Sequence, residues 1–157
     1  MLADGKSALL WYVNGFSARS GMQMRLEIDK RLGRFAPEIE LAIFRVVQEA
    51  LTNIHRHVQS KTGTIRLRRG KREVTLAIRD HGKGISADKL DEIRAGGGGI
   101  GLRGMHERVH QLLGEIRVDS DGSGTRLVVI FPVTSPRKQK PTPEIRLDGE
   151  FVSARNP

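Results

Sequence analysis

Cysteine is absent from this chain of 157 residues. That excludes a disulfide scaffold and any thiolate metal site, and it is compatible with a reducing compartment. Aromatic residues make up only 4% of the chain, too few for the stacking platforms that hold single-stranded nucleic acid. No apolar run is long enough to cross a bilayer. The opening "MLADGKSALL" has a short apolar patch with no small-residue cleavage site behind it, so a signal peptide is not expected. Acidic residues are outnumbered 18 to 27, a net charge of +9. Such a balance suits polyanions, whether nucleic acid, membrane surface or nucleotide phosphates. The charge is spread along the chain, however, and surface solubility is the plainer reading. The length fits one domain with its own core.

The patterning mixes long helices with hairpins. Ser7 can cap a helix carrying Leu9, Leu10, Val13 and Phe16, and Gly21 is placed to end it. "MQMRLEID", 22–29, alternates as a half-buried strand. Pro37 suits the first turn of a helix over 37–58, along which Ile39, Ile43, Val46, Val47, Ala50 and Ile54 recur at helical spacing. "TIRLRR" and "EVTLAIRD" form a hairpin about Gly70-Lys71-Arg72. A polar helix-like stretch and a glycine run lead to a helix over 101–113, which Gly114 ends. A last hairpin turns at Asp121-Gly122-Ser123-Gly124. The simplest architecture is one sheet with helices packed on one face. The Pro-rich charged tail 135–157 is expected to be flexible and separate from a domain over 1–134.

The segment "AGGGGIGLRGMHERVH", 95–110, holds two candidate motifs. Gly99, Gly101 and Gly104 match the dinucleotide fingerprint, but that fingerprint needs a strand before it, and "SADKLDEIRA" is polar and helix-like. His106, Glu107 and His110 match a zinc-protease helix, but a third protein ligand is missing and no histidine follows. Two helix histidines without a metal are the simpler account.

Four other pieces carry chemistry. In "FRVVQEALTNIHRH", 44–57, residues Glu49, Asn53 and Arg56 fall within roughly 60° of arc at the edge of the apolar face, at about 100° per residue. Asn53 can give an oxygen to magnesium, Glu49 can hold a metal-bound or attacking water, and Arg56 or His57 can meet phosphate. An ordinary solvated face explains the same residues equally well. Asp80 ends a strand and can accept from an exocyclic amine such as adenine's, with Gly82 and Gly84 letting the backbone approach a flat ring. The glycines before the 101–113 helix can wrap phosphate at a positive helix end. Gly122-Ser123-Gly124-Thr125 places a hydroxyl near a ring. Each piece alone also reads as a turn, a linker or a hairpin.

In this order, the pieces resemble the ATP-binding catalytic domain of bacterial sensor histidine kinases, in the superfamily shared with DNA gyrase, mismatch-repair ATPases and a heat-shock chaperone. They look like its N box, first and second glycine boxes, and terminal Gly-x-Gly-Thr. "FRVVQEALTNIHRH" and "GLRGMHERV" are most similar to the branch partnering LuxR-type response regulators. The resemblance covers about residues 7–133. It implies an α/β (α+β) two-layer sandwich of the Bergerat type, with a mixed, mostly antiparallel sheet and a mobile lid at about 86–100.

The resemblance also implies roles. Asn53 would ligate Mg2+, and Glu49 would hold a metal-bound water or aid proton removal. Arg56 and His57 would touch phosphates. Asp80 would hold the adenine amine of ATP, with Gly82 and Gly84 under the ring. Gly99, Gly101, Leu102 and Gly104 would form the lid's phosphate end, and Thr125 would support Asp80 through water. In the histidine kinase relatives the phosphoacceptor histidine lies on a dimerising helical hairpin, and none fits before Ser7. The chain is therefore expected to act within a longer, homodimeric, cytoplasmic or membrane-anchored kinase, with little self-phosphorylation of its own. It is expected to touch neither nucleic acid nor membrane directly. The branch usually has lysine where Arg56 stands. Two other readings are a stand-alone anti-sigma serine kinase of the same fold and a nucleic-acid binder using "RLRRGKR", 66–72.

Overall fold

The computed structural model describes residues 5–58 and 60–133. The side chains of His57, Val58 and Ile100 lie outside that description, as does the whole 135–157 tail. Helix α1, Gly5–Ser20, buries Leu9, Val13 and Phe16 and leaves Leu10 in solvent. Ser7 sits inside this helix rather than at its cap. Gly21 ends it in the left-handed conformation, φ +73°, with its N–H on the Ser17 carbonyl.

Strand β1, Gln23–Ile28, leads to α2, Pro37–Asn53. Pro37 stands in the first turn, where a missing N–H costs nothing. Glu38 and Glu40 there complement the positive helix end. The expected helix over 37–58 is continuous, but it changes pitch: Ile54–Val58 form a π-helical turn. Its wider i→i+5 spacing turns each residue through a smaller angle. Residues beyond Asn53 therefore fall behind the α-helical arc that the sequence predicts for Arg56.

Strands β2 (Thr62–Arg69), β3 (Glu73–Asp80), β4 (Glu115–Asp121) and β5 (Gly124–Pro132) complete the sheet, in the order β1-β2-β3-β5-β4. Among the described residues, only β1 and β2 pair in parallel, because α2 carries the chain back between them; the three other pairings are antiparallel. Between β3 and β4 lie α3, Ala87–Arg94, and α4, Ile100–Gln111. Among the described residues, no helix is long and apolar enough to cross a membrane.

Period-two alternation separates the faces of the sheet. Ile65, Leu67, Val74, Leu76, Ile78, Val129 and Phe131 are buried under the helices, while Arg66, Arg68, Arg79 and Arg126 stand on the open face. The main core joins α1, α2, α4 and the central strands; a smaller cluster of Leu90, Ile93 and Val118 lies beneath α3. Leu102 packs against both.

The end of α4 departs from expectation by one residue. The left-handed residue is Leu113, φ +59°, and not Gly114. Leu113 N–H bonds to His110 O and Gly114 N–H to Val109 O, the two bonds of a Schellman ending. Gly114 is needed for another reason: a Cβ there would come within 2.8 Å of Ile130 O on β5. The strand contact claims the glycine, and the strained backbone angle falls on an exposed leucine.

Candidate functional site

The inward face of β3 reads Val74, Leu76, Ile78, Asp80. Alternation therefore carries a carboxylate into the interior at the strand's end, and Asp80 is only 1% exposed. A buried carboxylate needs hydrogen-bond donors. Asp80 Oδ1 accepts from Gly82 N–H at 3.0 Å and from Thr125 N–H at 3.3 Å. Among the described residues, Oδ2 accepts from none. One oxygen is thus fixed by backbone and the other is left for a donor from outside.

The β4–β5 hairpin locks this arrangement. At Gly124, φ +142°, a Cβ would collide with the Asp80 carbonyl. Gly84 approaches the same hairpin, where a Cβ would meet Asp121 O and Ser120 Oγ. Ser120, a residue the motifs did not single out, ties the parts together. Its hydroxyl accepts from Ile85 N–H at 2.8 Å and lies 3.1 Å from Thr125 Oγ1. The signal for it was present in β4, where Ile116, Val118 and Ser120 share one face. Thr125 supports Asp80 directly through its backbone N–H, while its hydroxyl serves Ser120.

Asp80 and Thr125 open onto a cavity of about 140 Å³ that also takes in Asn53, Gly98 and Leu102. Its remaining wall is largely apolar, with Ile54, Ile78, Met105, Val118 and Leu127. A flat heteroaromatic ring with an exocyclic amine suits such a slot: apolar faces for the ring and a carboxylate oxygen for the amine. A larger cavity of about 250 Å³ lies under residues 32–35. There Arg34 and Glu40 are engaged with each other, 2.9 Å apart.

Glu49 and Asn53, one helical turn apart, do not share this cavity. Glu49 lines a separate groove with Arg45, Gln48, Gly101, Gly104 and Arg108. The start of α4 is the wall between the two, and Met105 lines both. Gly101 lies against the Glu49 carboxylate, which a Cβ there would displace. Gly99 takes the N-cap position of α4 at φ +103°, which suits glycine. A helix N-terminus with exposed N–H groups favours an anion.

Other expected residues stand apart. Arg56 is exposed in the π-helical turn and does not line the cavity; the side chain of His57 lies outside the described residues. Gly82 and Gly84 brace Asp80 and the hairpin from outside the cavity wall. For a hard cation, Asn53 offers one amide oxygen in the cavity and Glu49 one carboxylate in the adjoining groove; so few protein ligands suit an ion held mainly by water and phosphate.

The competing motifs find other uses. α3, not a strand, precedes the glycines, as the sequence indicated. His106 and His110 face each other at 6.2 Å between ring centroids, and among the described residues no group of three His, Cys, Asp or Glu could hold a metal. Burial lowers the His106 pKa below its usual value; a hydrogen bond to the Ile93 backbone pulls the other way, and His110 adds to the lowering. In "RLRRGKR", Arg66 pairs with Glu27 at 2.7 Å. Arg69 donates to Leu32 O and Arg34 O and lies over the Phe35 ring. Both arginines serve the fold.

The chain is similar to known proteins in sequence and in fold. Residues 38–135 match the family model described as histidine kinase-, DNA gyrase B- and HSP90-like ATPase. The chain is 31% identical to the signal transduction histidine-protein kinase/phosphatase DegS of Brevibacillus brevis, over 79% of this chain and 31% of that protein. It is 35% identical to the sensor histidine kinase LiaS of Bacillus subtilis (strain 168), over 76% of this chain and 32% of that one. It spans about a quarter to a third of the length of such curated relatives. Among solved structures, the histidine kinase domain of the Erythrobacter litoralis EL346 blue-light activated histidine kinase superposes with a TM-score of 0.69 at 23% identity, covering 83% of this chain and 61% of that one.

Proposed function

This chain belongs to the histidine kinase-, DNA gyrase B- and HSP90-like ATPase family, and from that membership we propose that it is the ATP-binding catalytic domain of a two-component sensor histidine kinase. Residues 1–134 form the domain, and 135–157 are a basic tail. It positions Mg-ATP for transfer of the γ-phosphoryl group to a histidine on a dimerising hairpin elsewhere in a homodimeric kinase. The product then serves a response regulator, of the LuxR type in the branch that the motifs resemble. The domain works in the cytoplasm.

One observation carries the reading. Asp80 is buried, two backbone N–H groups hold one of its oxygens, and the other oxygen is left at an apolar slot. That arrangement accepts the adenine amine and discriminates against rings lacking it, because a missing donor would leave a buried carboxylate oxygen unpaired. Gly82, Gly84 and Thr125 keep the carboxylate in place. Gly99, Gly101, Leu102 and Gly104 present the start of α4 to the phosphates. Asn53 would hold Mg2+, which neutralises phosphate charge when bound. Glu49 would orient a metal-bound water or take the proton of the attacking imidazole, and Arg56 and His57 would touch the phosphates where these extend past the cavity. The protein's contribution to such a transfer is positioning and charge neutralisation.

The test is calorimetric titration with a non-hydrolysable ATP analogue and magnesium, on wild type and Asp80→Asn. Saturable binding is expected, weakened by about 100-fold in the variant, whose amide turns a donor toward the adenine amine. A folded wild type that binds nothing would refute the proposal.

A further inference from the structure

A bound polyphosphate calls for a cation, and the expected Arg56 does not line the cavity. Arg56 is exposed in the π-helical turn, and the His57 side chain lies outside the described residues. Among the described lining residues one is cationic: Lys89, on α3. No motif included it.

Local structure fixes where this side chain departs. Ser86 caps α3, its hydroxyl accepting from Lys89 N–H at 3.3 Å, so Lys89 sits in the first turn of the helix. Its ammonium has one described partner, Glu92 Oε2, at 3.4 Å. That is long for a charge-assisted hydrogen bond, and a half-exposed pair at i,i+3 contributes little. A lysine is a mobile point charge with three donors on a flexible stem, suited to phosphate oxygens. Glu92 has a second connection, since its backbone carbonyl accepts from Gly97 N–H at 3.0 Å within the glycine run.

We infer that Lys89 is the phosphate-binding cation of the lid. Its ammonium exchanges Glu92 for the phosphate oxygens of the nucleotide, which draws α3 and the attached glycine run toward the ligand. The inference rests on the nucleotide reading above and adds to it a contact made from the lid helix.

The test is to titrate the chain with ATP, ADP, AMP and adenosine, magnesium present, in wild type, Lys89→Gln and Lys89→Arg. Lys89→Gln is expected to weaken ATP about tenfold, the scale of one charge-assisted hydrogen bond. The loss should shrink along the series to less than about twofold for adenosine, and it should fade in high salt. Lys89→Arg should keep most of the affinity. Equal loss for all four ligands would show that Lys89 only supports the lid's structure, and no loss for ATP would show that it touches no phosphate; either result overturns the inference while leaving the nucleotide site standing. A wild type that binds none of the four overturns both.

Discussion

At the Asp80 end of the cavity, two hydrogen bonds join residues far apart in the chain. Thr125 N–H reaches Asp80 across 45 residues, and Ile85 N–H reaches Ser120 across 35. From Gly96 to Gly104, the turn and cap bonds are short-range: Gly96 to Ile93, Gly97 to Glu92, Arg103 to Gly99. The glycines there include three at positive φ, Gly96, Gly98 and Gly99. The first region is cross-braced by the sheet and holds one shape; the second can rearrange without breaking the sheet. A ring-reading site gains specificity from rigidity. A phosphate grip must admit and release its ligand, so it is drawn from the less stable part of the fold.

The largest effect should come from breaking the rigid end. Gly124→Ala forces a Cβ into the Asp80 carbonyl. It should cost about 3 kcal/mol of stability and weaken adenosine and ATP alike. Thermal melting and titration with both ligands check this, and an unchanged melting temperature would mean that the hairpin can move. Gly101→Ala probes the other end. Its Cβ meets only the tip of the flexible Glu49 side chain, so the melting temperature should hardly move. Displacing that carboxylate should weaken ATP several-fold, up to about tenfold, and leave adenosine unaffected.

His106 lies between the two regions, on α4 but touching the Ile93 backbone of α3. Its pKa in the folded state is lowered from 6.5, chiefly by burial, so the unfolded chain binds more protons just below that pH. Stability therefore rises with pH through this window and is lost as pH falls below 6.5 toward the folded value. Melting curves from pH 5 to 8 should show the slope, and His106→Gln should flatten it. The smallest change lies outside both regions. Leu113→Gly relieves a left-handed leucine that is 84% exposed. It should stabilise by about 0.5 kcal/mol after the added flexibility of the unfolded chain is subtracted, with nucleotide affinity unchanged.

Much of this was legible in the chain. The period of β3 and the Asp80-His81-Gly82 turn marked a carboxylate at a strand end, and the alternation of 22–29 and the helical spacing after Pro37 located β1 and α2. The inward position of Ser120 was legible in the alternation of β4, but its role was not, because a serine at a strand end has many roles. The separation of Glu49 from Asn53 was not legible. Helical arc counting places them on one face, and only α4, arriving from 50 residues downstream, sets a wall between them. Arg56 left its arc because of a change of pitch that no residue type announces.

By itself the sequence determined the elements, the inward face of each strand, and the family to which the four motif pieces point. These depend on side-chain period and local backbone preference, which act within a few residues. Tertiary structure alone decided that Gly114 serves β5 and leaves the strain on Leu113, that Thr125 holds Asp80 by its backbone, and that Lys89 reaches the cavity. Each depends on atoms brought together by packing from distant parts of the chain. Close-packed interiors settle such contacts collectively, so no single stretch of sequence encodes them.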